Sequence, residues 1–166
     1  YTINAAISAK AYGAEMVFAD NSGVSVTPST WRLRKRVLPQ HTDHAKVMWH
    51  GAYVAWLEEA RVEALAESGL DYAAMTELGV EMPVVSLRID YRRALMHGDL
   101  VILESRCLER QGVRWPWSCR FLREDELMAE AFVELVMMRR GRLLRCAPPE
   151  LADAMNRLCC GENPHA

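Results

Sequence analysis

The sequence predicts an α+β chain in which one long helix lies on an antiparallel sheet. Two periodicities carry that prediction. Tyr53, Trp56, Leu57, Ala60, Ala64 and Leu65 recur every three to four residues, the spacing of one apolar helix face. From Val85 onward the period falls to two, and the alternating runs are separated by short turn signals. Strands joined by short turns pair with their neighbours, and a lone apolar helix must bury its stripe on the sheet they form.

Taken in order, residues 1–30 carry little pattern. Ile7-Ser8-Ala9-Lys10-Ala11 reads as a short helix or part of a flexible arm, and Asp20-Asn21-Ser22-Gly23 as a turn. The stretch lacks the basic start and long apolar middle of a secretory signal, and no function is assigned to it. Trp31 to Leu38 alternates Arg32, Arg34 and Arg36 with Leu33 and Val37, which predicts a strand that Pro39 ends. The long helix opens near Trp49 to Ala52 and closes at Gly69, where a left-handed residue is expected. Asp71 to Leu78 reads as a second, short helix, with Asp71 near its cap and Gly79 at its end.

Four strands follow. Val85, Leu87, Ile89 and Tyr91 line one side of the first, and Ser86, Arg88, Asp90 and Arg92 the other. After the turn His97-Gly98-Asp99 comes Leu100 to Glu109. The next runs from Val113 to Leu122. Pro116, which cannot donate to a ladder, belongs there at an edge, a bulge or a non-bonded position. Glu124-Asp125-Glu126 is the hairpin turn into Leu127 to Met138. Pro148-Pro149 opens a last helix, Glu150 to Leu158. The expected organisation is an extension at 1–30, one domain at 31–147, and a C-terminal helix and tail at 148–166.

Bulk properties narrow the function. A chain of 166 residues with 51% apolar content suits one domain with a sizeable core. A net charge of −2 argues against nucleic-acid binding driven by charge. No apolar run approaches the roughly 20 residues a membrane helix needs. The cysteines, Cys107, Cys119, Cys146, Cys159 and Cys160, are odd in number and show no C-x-x-C spacing. Reduced thiols in a cytoplasmic protein are therefore expected, rather than a disulfide framework or a zinc site.

The chemistry concentrates before the long helix. Asp43 stands in a loop seven residues ahead of His50. The first N–H groups of a helix have no intrahelical partner and carry the positive end of its dipole. A carbonyl oxygen gaining negative charge can be held there. Asp43 can then attack the carbonyl carbon, or activate the water that does. The competing reading is a helix cap or a solvated loop residue.

More than a spacing supports the first reading. Thr42, Asp43, Trp49, His50, Tyr53, Trp56, Glu58, Ala60 and Arg61 match a fixed pattern, T-D-x-x-G-x-x-[YW]-H-x-x-Y-x-x-[WF]-x-E-x-A-R. On these residues the chain resembles the 4-hydroxybenzoyl-CoA thioesterase family of hotdog-fold proteins. The likeness continues through Pro83-Val84-Val85, Tyr91, Arg93 and Gly98-Asp99, covering residues 31 to about 147. It departs at Lys46, where the family has Gly, and at Ala94, where it has Pro.

The resemblance implies a hotdog fold, a sheet wrapped around the central helix. It implies an acyl-CoA thioesterase with Asp43 as nucleophile or general base and the His50 and Gly51 backbone N–H groups as oxyanion hole. Trp49, Tyr53 and Lys46 are the candidate substrate contacts. Lys46 would meet a phosphate or line the entrance, or else mark a loop that has lost the family's backbone shape, since Gly tolerates torsions that Lys does not. A homodimer or homotetramer is implied, with no metal and no cofactor. An aromatic acyl group is the guess the family name suggests.

Other residues have plainer readings. Glu58 and Arg61, three apart on the helix, can pair. Glu59, Glu63 and Glu67 read as a solvated stripe. His41 and His44 flank Asp43 without metal-ligand spacing. Arg88, Arg92 and Arg93, and the cluster Arg139, Arg140, Arg142 and Arg145, suit phosphate but need not bind it. Two rivals to the thioesterase reading are an acyl-CoA-binding hotdog protein without catalysis and an enzyme acting on a carrier-protein thioester.

Overall fold

The computed structural model describes residues 30–70 and 72–160. The expected helix and turn within residues 1–29, and the capping role of Asp71, lie outside the described residues.

The elements are β1 (Trp31–Arg36), a 3-10 turn (Pro39–His41), α1 (His50–Glu67), α2 (Tyr72–Glu77), β2 (Val80–Glu81), β3 (Val84–Tyr91), β4 (Leu100–Cys107), β5 (Arg114–Arg123), β6 (Glu126–Val136), β7 (Met138–Arg139), β8 (Arg142–Leu143) and α3 (Pro149–Cys160). The five strands expected from the sequence form one antiparallel sheet in the order β1-β4-β5-β6-β3. Its hairpins follow from local chemistry. Glu124 and Asp125 have φ of 49° and 66°, giving the two-residue loop whose twist matches the strands it joins. Pro116 lies in the central strand β5, one residue past its last pairing with β4, Cys107 with Trp117. The Pro116 carbonyl accepts from Leu108 N–H at 2.9 Å, so the side of the chain lacking a donor faces the end of that ladder. A small second sheet, β2-β7-β8, was not foreseen. It arises because Arg140 and Gly141 take φ of 51° and 76° and fold the chain into a hairpin just beyond β6.

Helix α1 is held by its apolar stripe. Tyr53, Trp56, Ala60, Ala64 and Leu65 are buried in the main core cluster, and each fully buried large side chain contributes about 1.5–3 kcal/mol. Its C-terminus closes as expected. Gly69 has φ of 87°, its N–H reaches the Ala66 carbonyl, and the Leu70 N–H reaches that of Leu65 at 2.8 Å, the paired bonds of a Schellman end. The helix packs against β1 and β4, on one half of the sheet. Tyr53 carries the contact on to Phe121 of β5 and Tyr91 of β3, while the edge strand β3 keeps apolar residues half-exposed, with Val85 at 48% and Tyr91 at 52%.

Two expectations are corrected. Glu59 does not belong to a purely solvated stripe: Lys35 Nζ meets its carboxylate at 2.6 Å, and the same ammonium lies 5.8 Å from the Trp56 ring centre. The cysteines are not all reduced. A disulfide joins Cys107 to Cys159, tying the end of β4 to α3, while Cys119 and Cys146 are free. The pair is 52 residues apart, and it is the return of α3 over β4 that brings the two together. Helix α3 belongs to the same core, through Leu151, Ala154, Met155 and Leu158.

Candidate active site

The loop before α1 folds around the side chain of Asp43. Its Oδ1 accepts the backbone N–H groups of Ala45 at 2.8 Å and Val47 at 3.2 Å. Its own N–H donates to the Val47 carbonyl at 2.9 Å, and its carbonyl accepts from Lys46 at 3.0 Å. The carboxylate thus closes the turn that carries it. Among the described residues no hydrogen bond engages Oδ2, the oxygen left for chemistry. The turn is in turn stitched to a second segment. Met48 N–H donates to the Leu95 carbonyl at 2.8 Å and His97 N–H to the Lys46 carbonyl at 3.2 Å.

Lys46 has φ of 63°. The loop therefore takes the left-handed torsion that the glycine of the resembled pattern would take, with a lysine in its place. Its side chain is not part of the cleft wall.

Helix α1 begins at His50 with Trp49 as its cap residue, and no side chain caps it. Trp49 N–H is spent on the His41 carbonyl at 3.1 Å, and Ala52 N–H on that of Trp49 at 3.0 Å. The His50 and Gly51 N–H groups precede the first intrahelical bond and, among the described residues, remain as open donors. Gly51 lies directly under the Trp49 indole, where a β-carbon would overlap the ring. Trp49 itself is 45% exposed.

These pieces surround a cleft of about 670 Å³ lined by Asp43, His44, Val47, Met48, Trp49, His50, Tyr53 and the segment Tyr91 to Ala94. Four of the six predicted residues, Asp43, Trp49, His50 and Tyr53, are brought to this one wall. Gly51 and Lys46 are not among its lining residues. Tyr91, Met48 and Ala94 were not singled out as walls. Tyr91 had a signal, since it shares the strand face of Leu87 and Ile89, but strand alternation does not say which strand end meets the helix. Arg92 and Arg93 reach the cleft while paired with Glu130 and Glu126. The cluster Arg139 to Arg145 is elsewhere, around the β7–β8 hairpin, where Arg139 bonds the Leu78 carbonyl at 3.1 Å. His41 is committed to the fold: its Nδ1 accepts the Leu38 N–H at 3.1 Å and its ring meets Trp56 edge-on.

Burial sets the state of two further groups. The Tyr53 hydroxyl is pushed up to about 12, chiefly by desolvation, with a backbone hydrogen bond at Leu95 acting in the opposite direction. It stays a neutral hydroxyl near the cleft. Cys119 is likewise pushed up to about 12 by burial, which makes it a thiol and a poor nucleophile.

An antiparallel sheet curled about one long helix, with an acid-bearing loop at the helix N-terminus, is the architecture of hotdog thioesterases. Residues 37–156 match the Thioesterase-like superfamily, and the chain belongs to that family. A Synechocystis sp. protein, named only provisionally as an esterase, is 36% identical over 138 residues, covering 81% of this chain and 83% of that one. A Prochlorococcus marinus protein named 1,4-dihydroxy-2-naphthoyl-CoA hydrolase is 28% identical, covering 77% and 91%. The crystal structure of the hypothetical protein TT1821 from Thermus thermophilus superposes with a TM-score of 0.71 at 31% identity, covering 76% and 98%. No described helix is long and apolar enough to cross a membrane.

Two outcomes are expected here. Both buried acids bind their proton more tightly folded than unfolded, so stability is full below pH 9 and falls as pH rises toward about 12. Urea titrations at stepped alkaline pH should show that fall, and it should begin later in Cys119→Ala. At Lys46 the left-handed torsion costs about 1 kcal/mol more than for glycine. Lys46→Gly should therefore gain about that much stability by denaturation and retain turnover, because the turn is already glycine-like. A loss of stability would show that the lysine side chain holds the loop.

Proposed function

We propose that this chain is an acyl-CoA thioesterase, with water cleaving the thioester to a free acid and CoA. The thioester-hydrolase class is supported by the family and by the hydrolase relative named above. The observation that carries the mechanism is the division of the Asp43 carboxylate, one oxygen bound into the loop and the other unengaged beside an uncapped helix end. The substrate carbonyl oxygen would accept hydrogen bonds from the His50 and Gly51 N–H groups. Asp43 would attack the carbonyl carbon and expel the CoA thiolate, leaving an acyl-carboxyl anhydride for water to open. Alternatively it would take a proton from the water that attacks directly. Either path builds negative charge on the carbonyl oxygen, where the open donors and the helix dipole lower its energy.

An aromatic acyl group is part of the proposal. It is supported by the naphthoyl ester named in the Prochlorococcus relative and by the rings of Trp49, Tyr53 and Tyr91 around the cleft. Arg92 and Arg93 are the candidates to meet CoA phosphates at the cleft rim.

Asp43→Asn tests the mechanism cleanly. An amide oxygen can still accept from Ala45 and Val47, so the turn and the fold should persist by circular dichroism. Thiol release should fall on the order of a hundredfold or more. Undiminished hydrolysis would end the assignment of Asp43. We also propose a homodimer or homotetramer, on the resemblance and on the half-exposed apolar edge strand β3. Sedimentation equilibrium should give at least twice the monomer mass of 18.8 kDa, and a monomer that hydrolyses thioesters would overturn this.

A further inference from the structure

A second acid stands behind the cleft. Asp99 ends the turn that leads into β4. Its Oδ2 accepts the Met96 N–H at 2.8 Å, and its own N–H donates to the Met96 carbonyl at 3.1 Å. The carboxylate closes the turn that carries it, as Asp43 does in its loop. Arg123 of β5 holds the same oxygen from outside, with Nη1 at 3.0 Å. The Gly98 N–H donates to the Val37 carbonyl at 2.8 Å, and the Val37 N–H to that of Asp99 at 2.9 Å. Asp99 is thus fixed to both β5 and the chain that follows β1. It does not line the cleft.

The strip that this turn presents, Leu95 to His97, is the one against which the Asp43 loop is paired. Val47 and Met96 form an antiparallel bridge. The bonds flank it: Met48 N–H to the Leu95 carbonyl on one side, His97 N–H to the Lys46 carbonyl on the other. In such a pair the N–H groups of the two facing residues point away from each other. Each then needs an acceptor from elsewhere. Asp43 Oδ1 takes the Val47 N–H at 3.2 Å, and Asp99 Oδ2 takes that of Met96. The two acids grip opposite sides of one bridge. Leu95 is fully buried, and a hydrogen bond joins its backbone to the Tyr53 hydroxyl of α1. The strip is therefore referred to the same helix that carries the His50 and Gly51 N–H groups.

Resting on the reading of Asp43 as the reacting acid, we propose that Asp99 is a positioning residue for it. By binding the Met96 N–H, Asp99 fixes the strip that sets where the Asp43 carboxylate stands relative to the helix N-terminus. It touches no substrate. The acceptor oxygen matters and the charge does not, because Arg123 already balances that charge.

The test uses the full chain, with thiol release from benzoyl-CoA and octanoyl-CoA and calorimetric affinity for the inert thioethers S-benzyl-CoA and S-octyl-CoA. In Asp99→Ala, kcat should fall about tenfold or more, since small displacements of a reacting group are costly. KM and the thioether affinities should stay within about twofold, because no binding contact is lost. The Ala45 and Val47 amides should exchange hydrogen about tenfold faster. Asp99→Asn keeps an oxygen for Met96 and should restore kcat to within about threefold of the starting protein.

An unchanged kcat in Asp99→Ala, or a rise in KM at constant kcat, overturns the proposal. So does an Asp99→Asn protein as slow as Asp99→Ala, which would assign the effect to charge. If Asp99→Ala does not fold, native-state exchange of the unsubstituted chain decides. The Val47 and Met96 amides should open together with one dependence on denaturant, and separate openings overturn the tether. If the unsubstituted chain releases thiol from neither ester, the thioesterase reading is what fails, and faster exchange at Ala45 and Val47 in Asp99→Ala still upholds the tether. Turnover that Asp99→Ala retains, with unchanged loop exchange, does the reverse.

Discussion

Everything about the cleft depends on how α1 is seated. Tyr53, Trp56, Ala60, Ala64 and Leu65 can be buried only if the helix lies on the sheet with that stripe downward, and this choice fixes where His50 points. The stripe begins on the first turn, so the helix cannot slide without exposing Trp56 or Tyr53. Its seat is also lopsided. The helix lies closest to β1 and β4, and the cleft opens where its first turn meets the Tyr91 end of β3. The position of the open N–H groups and the presence of room beside them are therefore consequences of one packing decision.

The fold was largely legible because its signals are periodic. The helix stripe, the strand alternation from Val85 on and the turn at Glu124-Asp125 each announce themselves within a few residues. What was not legible depends on distance. The Cys107–Cys159 bridge needs α3 to return across β4, and no local spacing encodes that. The exposure of β3 follows from the side on which the helix leans, which alternation alone does not reveal. The hairpin β7–β8 hides inside a run of arginines that reads as simple charge. Its Arg140 adopts a torsion usually given to glycine.

The candidate site shows the same split. Asp43, His50 and Gly51 stood out by their place before a helix and by resemblance, and the structure adds what neither could supply, the hydrogen bonds of each oxygen and each N–H. Lys46 is the instructive case. The sequence raised the question of whether the loop keeps its shape without glycine, and the backbone does adopt φ of 63°. The reason is visible in the contacts. The Asp43 side chain binds Ala45 and Val47 on either side of Lys46, and His97 binds the Lys46 carbonyl. Three tethers around one residue can outweigh a torsional cost of about 1 kcal/mol.

That arrangement has a consequence for how the acid works. A carboxylate with one oxygen fixed by two N–H groups loses rotational freedom, so its second oxygen points where the loop directs it and not where solvent would draw it. The cost of orienting the reactive oxygen is met during folding, before substrate arrives. Arg61 shows the same logic in reverse. Its pairing with Glu58 was foreseen from a spacing of three on a helix. One helix neighbour satisfies only part of a guanidinium, and burial leaves the remaining donor in want of an acceptor. At Asp43 the fold supplies the hydrogen bonds and leaves an oxygen for the substrate. At Arg61 burial leaves one guanidinium nitrogen without a partner among the described residues.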